Sequence, residues 1–203
     1  MTPRQRMQAV IDAEAEAIRN IRLTDDFELA LGVMQACEGK IITTGIGKAG
    51  HIATKFAATL CSTGTPAVFL HPAEAAHGDL GLVSARDVLI AFSTSGKSRE
   101  VLEILELSRH LGVTHIVGVT AHPDSALREH AELILDMGEI DEACPIGLTP
   151  TSSIAVMLAI SDAIAMALME LKGITQADYG IRHHGGYLGH AARTDNLPDA
   201  KDG

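Results

Sequence analysis

The chain has 203 residues, of which 46% are hydrophobic, and its formal net charge is −10 at pH 7. That hydrophobic fraction excludes a disordered chain, and the length is sufficient for one domain with a substantial core. An acidic chain without a basic tract is a poor partner for nucleic acid or for an anionic membrane, so we expect neither partner. The net charge does not exclude binding of a small anionic ligand, because one loop can be positive on an acidic protein.

The cysteines and the N-terminus indicate the compartment. The three cysteines are an odd number without a CxxC pair, so neither a disulfide framework nor a zinc site is predicted. The first 20 residues are charged throughout and contain no apolar signal core. We therefore expect a soluble, cytoplasmic protein.

Strands and helices alternate along most of the chain. Two helices are predicted between residues 4 and 37, where apolar residues recur at helical spacing. Short apolar runs bounded by turn residues predict five strands, at 41–44, 67–70, 88–91, 115–119 and 132–135. Helices follow the first and third strands. Because the strands are apolar on both faces, the sequence predicts an α/β protein whose parallel sheet is covered by helices on both sides.

The longest apolar run, residues 154–169, is predicted to be a buried helix. It is short for a membrane span, and Ser161 and Asp162 stand near its middle. Lys172 followed by Gly173 is typical of a helix end. A short helix at about 175–179 and a polar tail at 194–203 complete the predicted elements.

A serine-rich loop after the third strand predicts a phosphate site. Residues 93–98 read STSGKS, and a helical pattern follows them. Free N–H groups and the positive dipole end of a helix N-terminus favour an anion there. Gly96 permits a tight turn, Lys97 adds a positive charge, and hydroxyl groups add neutral donors. The alternative is an ordinary polar loop in which Ser98 caps the helix.

Residues 45–50 (GIGKAG) match the GxGxxG pattern of dinucleotide-binding loops. The second strand ends in Leu70 and His71 without a carboxylate to hold a ribose, which argues against a nicotinamide cofactor. We predict instead that the glycines bring the backbone close to a ligand and that Lys48 points into the site. The alternative is a tight turn with a solvated lysine.

Two further segments carry polar groups suited to chemistry. Residues 71–79 (HPAEAAHGD) hold two histidines and two acids without the HExxH arrangement, so a substrate-lining loop is favoured over a metal site or a plain surface loop. Residues 142–153 (EACPIGLTPTSS) place hydroxyl groups before the long helix, where they suit a sugar or phosphate, or simply cap the helix. Glu142 is a candidate base, and acids at 136, 139 and 141 are alternatives.

In their order along the chain, these segments resemble the sugar isomerase (SIS) domain, and among its members the D-arabinose 5-phosphate isomerases. The resemblance covers about residues 10–192 and is carried by the segments at 44–51, 62–66, 71–81, 93–100, 142–153 and 183–189. It implies a three-layer αβα sandwich with a five-stranded, flavodoxin-like parallel sheet. It also implies cofactor-free interconversion of D-ribulose 5-phosphate and D-arabinose 5-phosphate, the first step towards the Kdo sugar of Gram-negative lipopolysaccharide.

Residue by residue, the resemblance implies four catalytic positions: Lys48, Glu100, Glu142 and His183. Aldose–ketose isomerisation moves a proton between C1 and C2 through a cis-enediol(ate), which needs a base, a proton shuttle and charge stabilisation. We expect Glu142 to be the base, with a pKa that burial raises towards neutrality. His183 is the candidate acid or base for the hydroxyl groups or ring opening. Lys48 is expected to stabilise charge, and Glu100 to orient Lys48 or His183.

The expected substrate-binding residues come from the same segments: Gly47, His77, Ser93, Thr94, Ser95, Ser98, Thr151 and Ser152. No resident metal is expected, although the resemblance implies that divalent metals such as zinc bind near His77 and inhibit. It further implies sites shared between subunits. With the N-terminal helices and the 154–169 helix as contact surfaces, we expect a homotetramer.

Three departures from the family pattern stand out. Full-length members of the family continue into a pair of CBS domains, whereas this chain stops at Gly203, so we expect a single SIS domain over residues 1–193 and no CBS domains. The usual HPGG turn has His184 in place of proline, which affects the placement of His183. Lys97 stands where the family often has an acid, which strengthens the phosphate prediction. Two other functions stay open, namely a non-catalytic phosphosugar sensor and an isomerase of another phosphosugar.

Overall fold

The computed structural model describes residues 1–183 together with residues 189, 191 and 192. Its strands are β1 (Ile41–Gly45), β2 (Ala67–Phe69), β3 (Val88–Phe92), β4 (His115–Thr120) and β5 (Leu133–Asp136). All of them pair in parallel, in the order β2-β1-β3-β4-β5. This is the flavodoxin-like strand order. The predicted five-stranded parallel sheet is confirmed.

The helices are α1 (Pro3–Arg19), α2 (Asp25–Gln35), α3 (Gly47–Ser62), α4 (Pro72–Ala75), α5 (Arg99–His110), α6 (Leu127–His130), α7 (Ser152–Leu171) and α8 (Gln176–Arg182). The segment predicted as a substrate-lining loop, residues 71–79, holds α4, and a 3₁₀ turn, Asp79–Leu82, follows it. The single-turn helix α6 is an element that the sequence patterns did not predict, because it is too short to show a helical period.

Helices cover both faces of the sheet, as the apolar strands predicted. On one face, Ile41, Ile90 and Val117 pack with residues of α2, α3 and α7. On the other face, Ile42 and Leu89 pack with residues of α5 and α6. Neighbouring strand residues point to opposite faces, so continuous apolar strands require a layer on each side. The three-layer sandwich is confirmed.

Helix α7 belongs to the core, as expected for residues 154–169. Met157, Ile160, Ala165 and Leu168 are buried in the cluster formed with α2 and α3. Within the described residues, α7 is the one helix long and apolar enough to cross a membrane by length and composition, a test that buried core helices also pass.

The order of the strands brings two loops together at the carboxyl edge of the sheet. Gly45 of β1 pairs with Phe92 of β3, so the loops that follow them begin side by side. The connections from β1 and β3 lead to opposite sides of the sheet, and ligands bind at such switch points. A Cβ on Gly50 would lie 2.7 Å from the Gly45 carbonyl oxygen. These two glycines therefore serve the close packing of β1 on α3.

Candidate active site

The loop between β3 and α5, residues 93–98, forms a compact cradle. Ser93 N–H donates to the Val119 carbonyl and Gly96 N–H to the Ser93 carbonyl, each at 3.0 Å. Gly96 has a φ of +62°, which strongly favours glycine at this position. The hydroxyl groups of Ser93 and Ser98 lie 3.1 Å apart. The predicted tight turn is therefore present, and two of its hydroxyl groups, those of Ser93 and Ser98, lie side by side.

The N-terminus of α5 has no side-chain cap. Ser98 occupies the N-cap position, but its side chain makes no capping hydrogen bond. Since the first N–H groups of any helix have no partner inside the helix, α5 presents donors and a positive dipole end to the cradle. Ser98 therefore stands at the N-cap position, as the alternative expected, but its side chain does not cap the helix, and the arrangement suits an external anion.

A cleft of about 820 Å³ opens beside the cradle. Three loops of the carboxyl edge line it, from β3, β4 and β5, and the start of α7 closes one side. Thr94, Ser95 and Lys97 come from the cradle, and His122, Asp136, Glu139, Asp141, Glu142 and Ser153 are among the others. Lys97 is thus a cation in a cleft that otherwise carries several carboxylates, and it stands at the end where an anion would bind.

Glu142 binds the N-terminus of α7. Its Oε2 accepts hydrogen bonds from Thr151 N–H at 2.7 Å, from the Thr151 hydroxyl at 3.2 Å and from Ser153 N–H at 3.4 Å. The carboxylate thus satisfies orphan donors of the first turn of α7 and faces its positive dipole end. Glu142 both lines the cleft and caps a helix.

The expected rise in the pKa of Glu142 is wrong for this structure. Burial raises the pKa of this carboxyl, but the hydrogen bonds from Ser153 and Thr151 outweigh burial and lower it below its ordinary value. Each donated hydrogen bond stabilises the charged form. Glu142 is therefore ionised at neutral pH, which is the protonation state that a general base requires.

The two hydroxyl residues predicted beside Glu142 differ in their placement. Thr151 uses its N–H and its hydroxyl on Glu142. Ser152 is fully buried, and its Oγ accepts the Ala143 N–H at 3.2 Å. Ser153, not Ser152, lines the cleft. The hydroxyl groups at 151 and 152 therefore hold the loop onto α7 in this structure, and their role in substrate binding stays a prediction.

Four other predicted residues lie exposed at the same edge of the sheet. Gly47, with a φ of +62°, and Lys48 begin α3 directly after β1, and Glu100 stands in the first turn of α5. His77 follows α4, after β2. Because β1 and β3 are neighbours, the helices that carry Lys48 and Glu100 begin on the two sides of the switch point.

His183 lies at the opposite end of the subunit. Helix α7 begins beside Glu142 and is about 30 Å long, from 20 residues at 1.5 Å each. At its far end, Lys172 Nζ donates to Thr65 Oγ1 at 3.0 Å, just before β2 begins. A Cβ on Gly64 would contact Arg182, the neighbour of His183. His183 and the cradle of one chain are therefore not brought together. The rest of its motif, residues 184–188, and the tail at 194–203 fall outside the described residues.

The local geometry of His183 suits proton transfer. Its Nδ1 lies 3.0 Å from the Tyr179 carbonyl oxygen, and its ring stacks on the Tyr179 ring with centroids 3.9 Å apart. In the neutral imidazole, a proton on Nδ1 would be donated to this carbonyl, which leaves Nε2 as the acceptor.

Sequence reasoning missed the contribution of the loop after β4. Thr120, His122 and Ser125 contact the cradle or line the cleft. The position of β4 could have indicated this contribution. β4 was predicted, and the carboxyl ends of all parallel strands lie at the same edge of the sheet, where ligands bind. The residues that follow it carry no recognisable motif.

The strand order defines a flavodoxin-like fold with the cradle and the cleft at its switch point, and the comparisons with known proteins agree with this fold. Residues 34–167 match the model of the SIS domain, so the chain belongs to the SIS-domain family. It is 44% identical over 184 residues to arabinose 5-phosphate isomerase KdsD of Pseudomonas aeruginosa, covering 90% of this chain and 56% of that protein. It is 43% identical over 179 residues to KdsD of Escherichia coli K12, covering 88% and 54%.

Solved structures include a similar chain with a bound sugar phosphate. An Escherichia coli CFT073 protein in complex with arabinose 5-phosphate is 36% identical, with a TM-score of 0.85 over 89% of this chain and 98% of that chain. The chain spans about half the length of the curated relatives that it matches.

Proposed function

We propose that this protein is an aldose–ketose isomerase that interconverts D-ribulose 5-phosphate and D-arabinose 5-phosphate and so supplies the Kdo sugar of lipopolysaccharide. The observation that carries the proposal is the uncapped N-terminus of α5, whose hydroxyl-lined cradle opens into the cleft that Glu142 lines. The similarity to the curated isomerases and to the chain with bound arabinose 5-phosphate supports the choice of substrate. The odd number of cysteines supports a cytoplasmic location.

In this proposal the phosphate group binds the cradle and the sugar extends into the cleft. The α5 N–H groups, the cradle hydroxyl groups and Lys97 hold the phosphate. Ionised Glu142 takes the proton from C2 or C1, and Lys48 stabilises the charge of the enediolate. The lowered pKa of Glu142 makes it a weaker base in the free protein, and the binding of the anionic substrate beside it shifts that pKa upward.

Each site is completed by a second subunit. Within one chain, His183 stands near the amino end of β2, whereas the cradle stands at the carboxyl edge of the sheet. A histidine that acts on the sugar must therefore come from another copy. With Nδ1 on the Tyr179 carbonyl, its Nε2 suits the shuttling of a proton between the O1 and O2 oxygens.

The outer helices offer apolar surface for such an assembly, which we propose to be a homotetramer. Helix α1 has no buried residue, and Met7 and Ile11 are 60% and 59% exposed on it. Met166 and Leu171 of α7 are 48% and 52% exposed. Adjacent apolar residues exposed on two packed helices are typical of a contact surface. A monomeric mass by sedimentation at micromolar concentration would contradict the tetramer.

One observation favours a second candidate, a phosphosugar-binding regulatory module. Glu142 already has a structural task as the cap of α7, so its presence does not require catalysis. A sensor needs only the cradle and the cleft.

Proton NMR in heavy water separates the two candidates. Protein is incubated with D-ribulose 5-phosphate, with and without EDTA. The proposal predicts D-arabinose 5-phosphate with deuterium at C2, since the enediol takes its proton from solvent. Binding without turnover in either condition favours the regulatory module. If the protein neither binds nor turns over D-ribulose 5-phosphate, this substrate is excluded.

Subunit complementation tests the shared site. Chains with His183→Ala and chains with Glu142→Gln are each expected to be inactive, and co-expression in one assembly is expected to restore part of the activity. Activity returns because a site can draw an intact His183 from one chain and an intact Glu142 from another. If the mixture stays as inactive as its parents, the two residues do not meet across subunits.

A further inference from the structure

The loop after β4 holds the cradle by its carbonyl groups. We call residues 120–127 the support loop. Thr94 carbonyl oxygen accepts from Ala121 N–H and from the Thr120 hydroxyl, each at 3.0 Å. Gly96 carbonyl oxygen accepts from Leu127 N–H at 3.0 Å. Two carbonyl groups of the cradle, each of which would repel an anion, are thus turned towards the support loop.

Thr120 joins the two loops through one hydroxyl group. It is fully buried at the end of β4. Its Oγ1 donates to the Thr94 carbonyl and accepts His122 N–H at 3.1 Å. The same oxygen therefore fixes the cradle on one side and the first turn of the support loop on the other.

Ser125 fixes the cradle at a second point by occupying space. It is 8% exposed, and a Cβ placed on Gly96 would overlap its Oγ. This hydroxyl has no hydrogen-bond partner within the described residues. Its side chain therefore restricts the position of Gly96, whose positive φ shapes the turn.

We propose that Thr120 is a positioning residue for phosphate binding, which acts through the Thr94 carbonyl, and that Ser125 assists it by packing against Gly96. Hydrogen-bond donors that already point at the site need no reorganisation when the anion binds, so no binding free energy is lost in moving them. A cradle whose carbonyl groups are tied back keeps its N–H groups available for the anion. This inference rests on the proposed function for its substrate, but it requires only that the cradle binds phosphate.

Thr120→Val tests the hydrogen bond with little change in shape. We expect the KM for D-ribulose 5-phosphate to rise about fivefold to tenfold, as for the loss of one hydrogen bond, with kcat changed less than twofold. The dissociation constant of inorganic phosphate, measured by calorimetry, should rise by the same factor. Thr120→Ser keeps the hydroxyl and should restore both values to within twofold of the wild type.

A matched control separates positioning from general destabilisation. Thr43 of β1 is also fully buried, and its hydroxyl donates to a backbone carbonyl, that of Ala53, at 2.8 Å. Thr43→Val makes the same chemical change outside the cradle, so it should lower the unfolding temperature while leaving KM and phosphate affinity unchanged.

Ser125→Ala is the second variant and tests the inference even if Thr120→Val does not fold. It deletes a hydroxyl without a partner in the described part of the chain, so folding is expected to tolerate it. KM and the phosphate dissociation constant should rise about twofold to threefold, because Gly96 gains room to move. Unchanged phosphate affinity in both variants, or in Ser125→Ala alone if the other does not fold, overturns the inference. The proposed function fails separately, if the wild type binds phosphate but does not turn over the substrate.

Discussion

Two helices begin beside the same cleft, and their first turns are satisfied in opposite ways. At α7 the chain supplies its own anion, because Glu142 accepts hydrogen bonds from Thr151 and Ser153. At α5 no side chain caps the helix, although a serine occupies the N-cap position. Both segments are rich in hydroxyl groups, so the hydroxyl content does not distinguish them. What distinguishes them is whether a carboxylate of the chain already fills the positive end of the helix.

The largest effect that we predict comes from replacing Glu142, the carboxylate that caps α7. Glu142→Gln should lower kcat roughly 10²- to 10⁴-fold, the usual contribution of a general base. Phosphosugar binding should persist, since the cradle is untouched. Deuterium exchange at C2 by NMR and binding by calorimetry measure the two effects. Glu170→Gln, on the last turn of α7, is the control for a lost carboxylate. Exchange that survives in Glu142→Gln would place the base elsewhere.

The next largest effect comes from making α5 resemble α7. Ser98→Asp puts a carboxylate at the N-cap, where it should fill the cradle and repel the phosphate. We expect KM to rise at least about tenfold. The free energy of unfolding should increase by about 1 kcal/mol, the usual contribution of an N-cap. Ser98→Asn caps the helix without the charge, so it should give the stability gain with a smaller rise in KM. Equal effects of Asp and Asn would mean that the cradle does not bind an anion.

A smaller effect concerns the pH dependence of stability. The pKa of Glu142 lies below its ordinary value of 4.5, because hydrogen bonds from Ser153 and Thr151 outweigh burial. Its carboxylate therefore stabilises the fold above about pH 4.5, and this contribution is lost as the pH falls through the lowered pKa. The free energies of unfolding of the wild type and of Glu142→Gln, measured with denaturant, should differ at pH 7, and the difference should shrink as the pH falls from 4.5 through the lowered pKa. Parallel curves over this range would contradict the capping role.

The smallest effect concerns the reactivity of Cys144, which lies in the loop that leads into α7. Hydrogen bonds from the Thr149 hydroxyl and from N–H groups including that of Ile146 lower the pKa of Cys144 to about 6. Alkylation by iodoacetamide, followed by mass spectrometry of the Cys144 peptide, should show a rate that rises with a midpoint near pH 6. Thr149→Val should move the midpoint upward. A midpoint near the ordinary value of 9.0 in the wild type would show that these donors do not reach the sulfur.

Much of this molecule follows from local patterns. Runs such as 88–91 and 115–119 had the length and two-sided apolarity of buried parallel strands, and the structure confirms both. The STSGKS loop was predicted as an anion cradle from its place between a strand and a helix, and the uncapped α5 fits that prediction. For EACPIGLTPTSS the structure shows Ser152 buried and Thr151 bound to Glu142, and the role of these two residues in substrate binding stays a prediction.

Other features depend on residues far apart in the chain. No spacing indicated that Thr120 would hold Thr94, 26 residues away, or that Ser125 would pack on Gly96. The prediction that burial would raise the pKa of Glu142 failed for the same reason. Burial can be anticipated from the apolar pattern of the surrounding sequence, whereas the donors around a carboxylate depend on how loops are placed.

The sequence by itself determined the α/β class, the parallel sheet, the position of the cradle and the family. The class, the sheet and the cradle follow from apolar period, turn residues and a helix N-terminus after a strand, which are local features. The family follows instead from the resemblance carried by segments such as 71–81 and 142–153. Only the tertiary structure decided which of the two helix N-termini beside the cleft stays uncapped, which loop contacts the cradle and at which end of the subunit His183 lies. These depend on the length of α7 and on contacts between separate loops, and the distance from the cradle to His183 makes a second copy of the chain part of the proposed site.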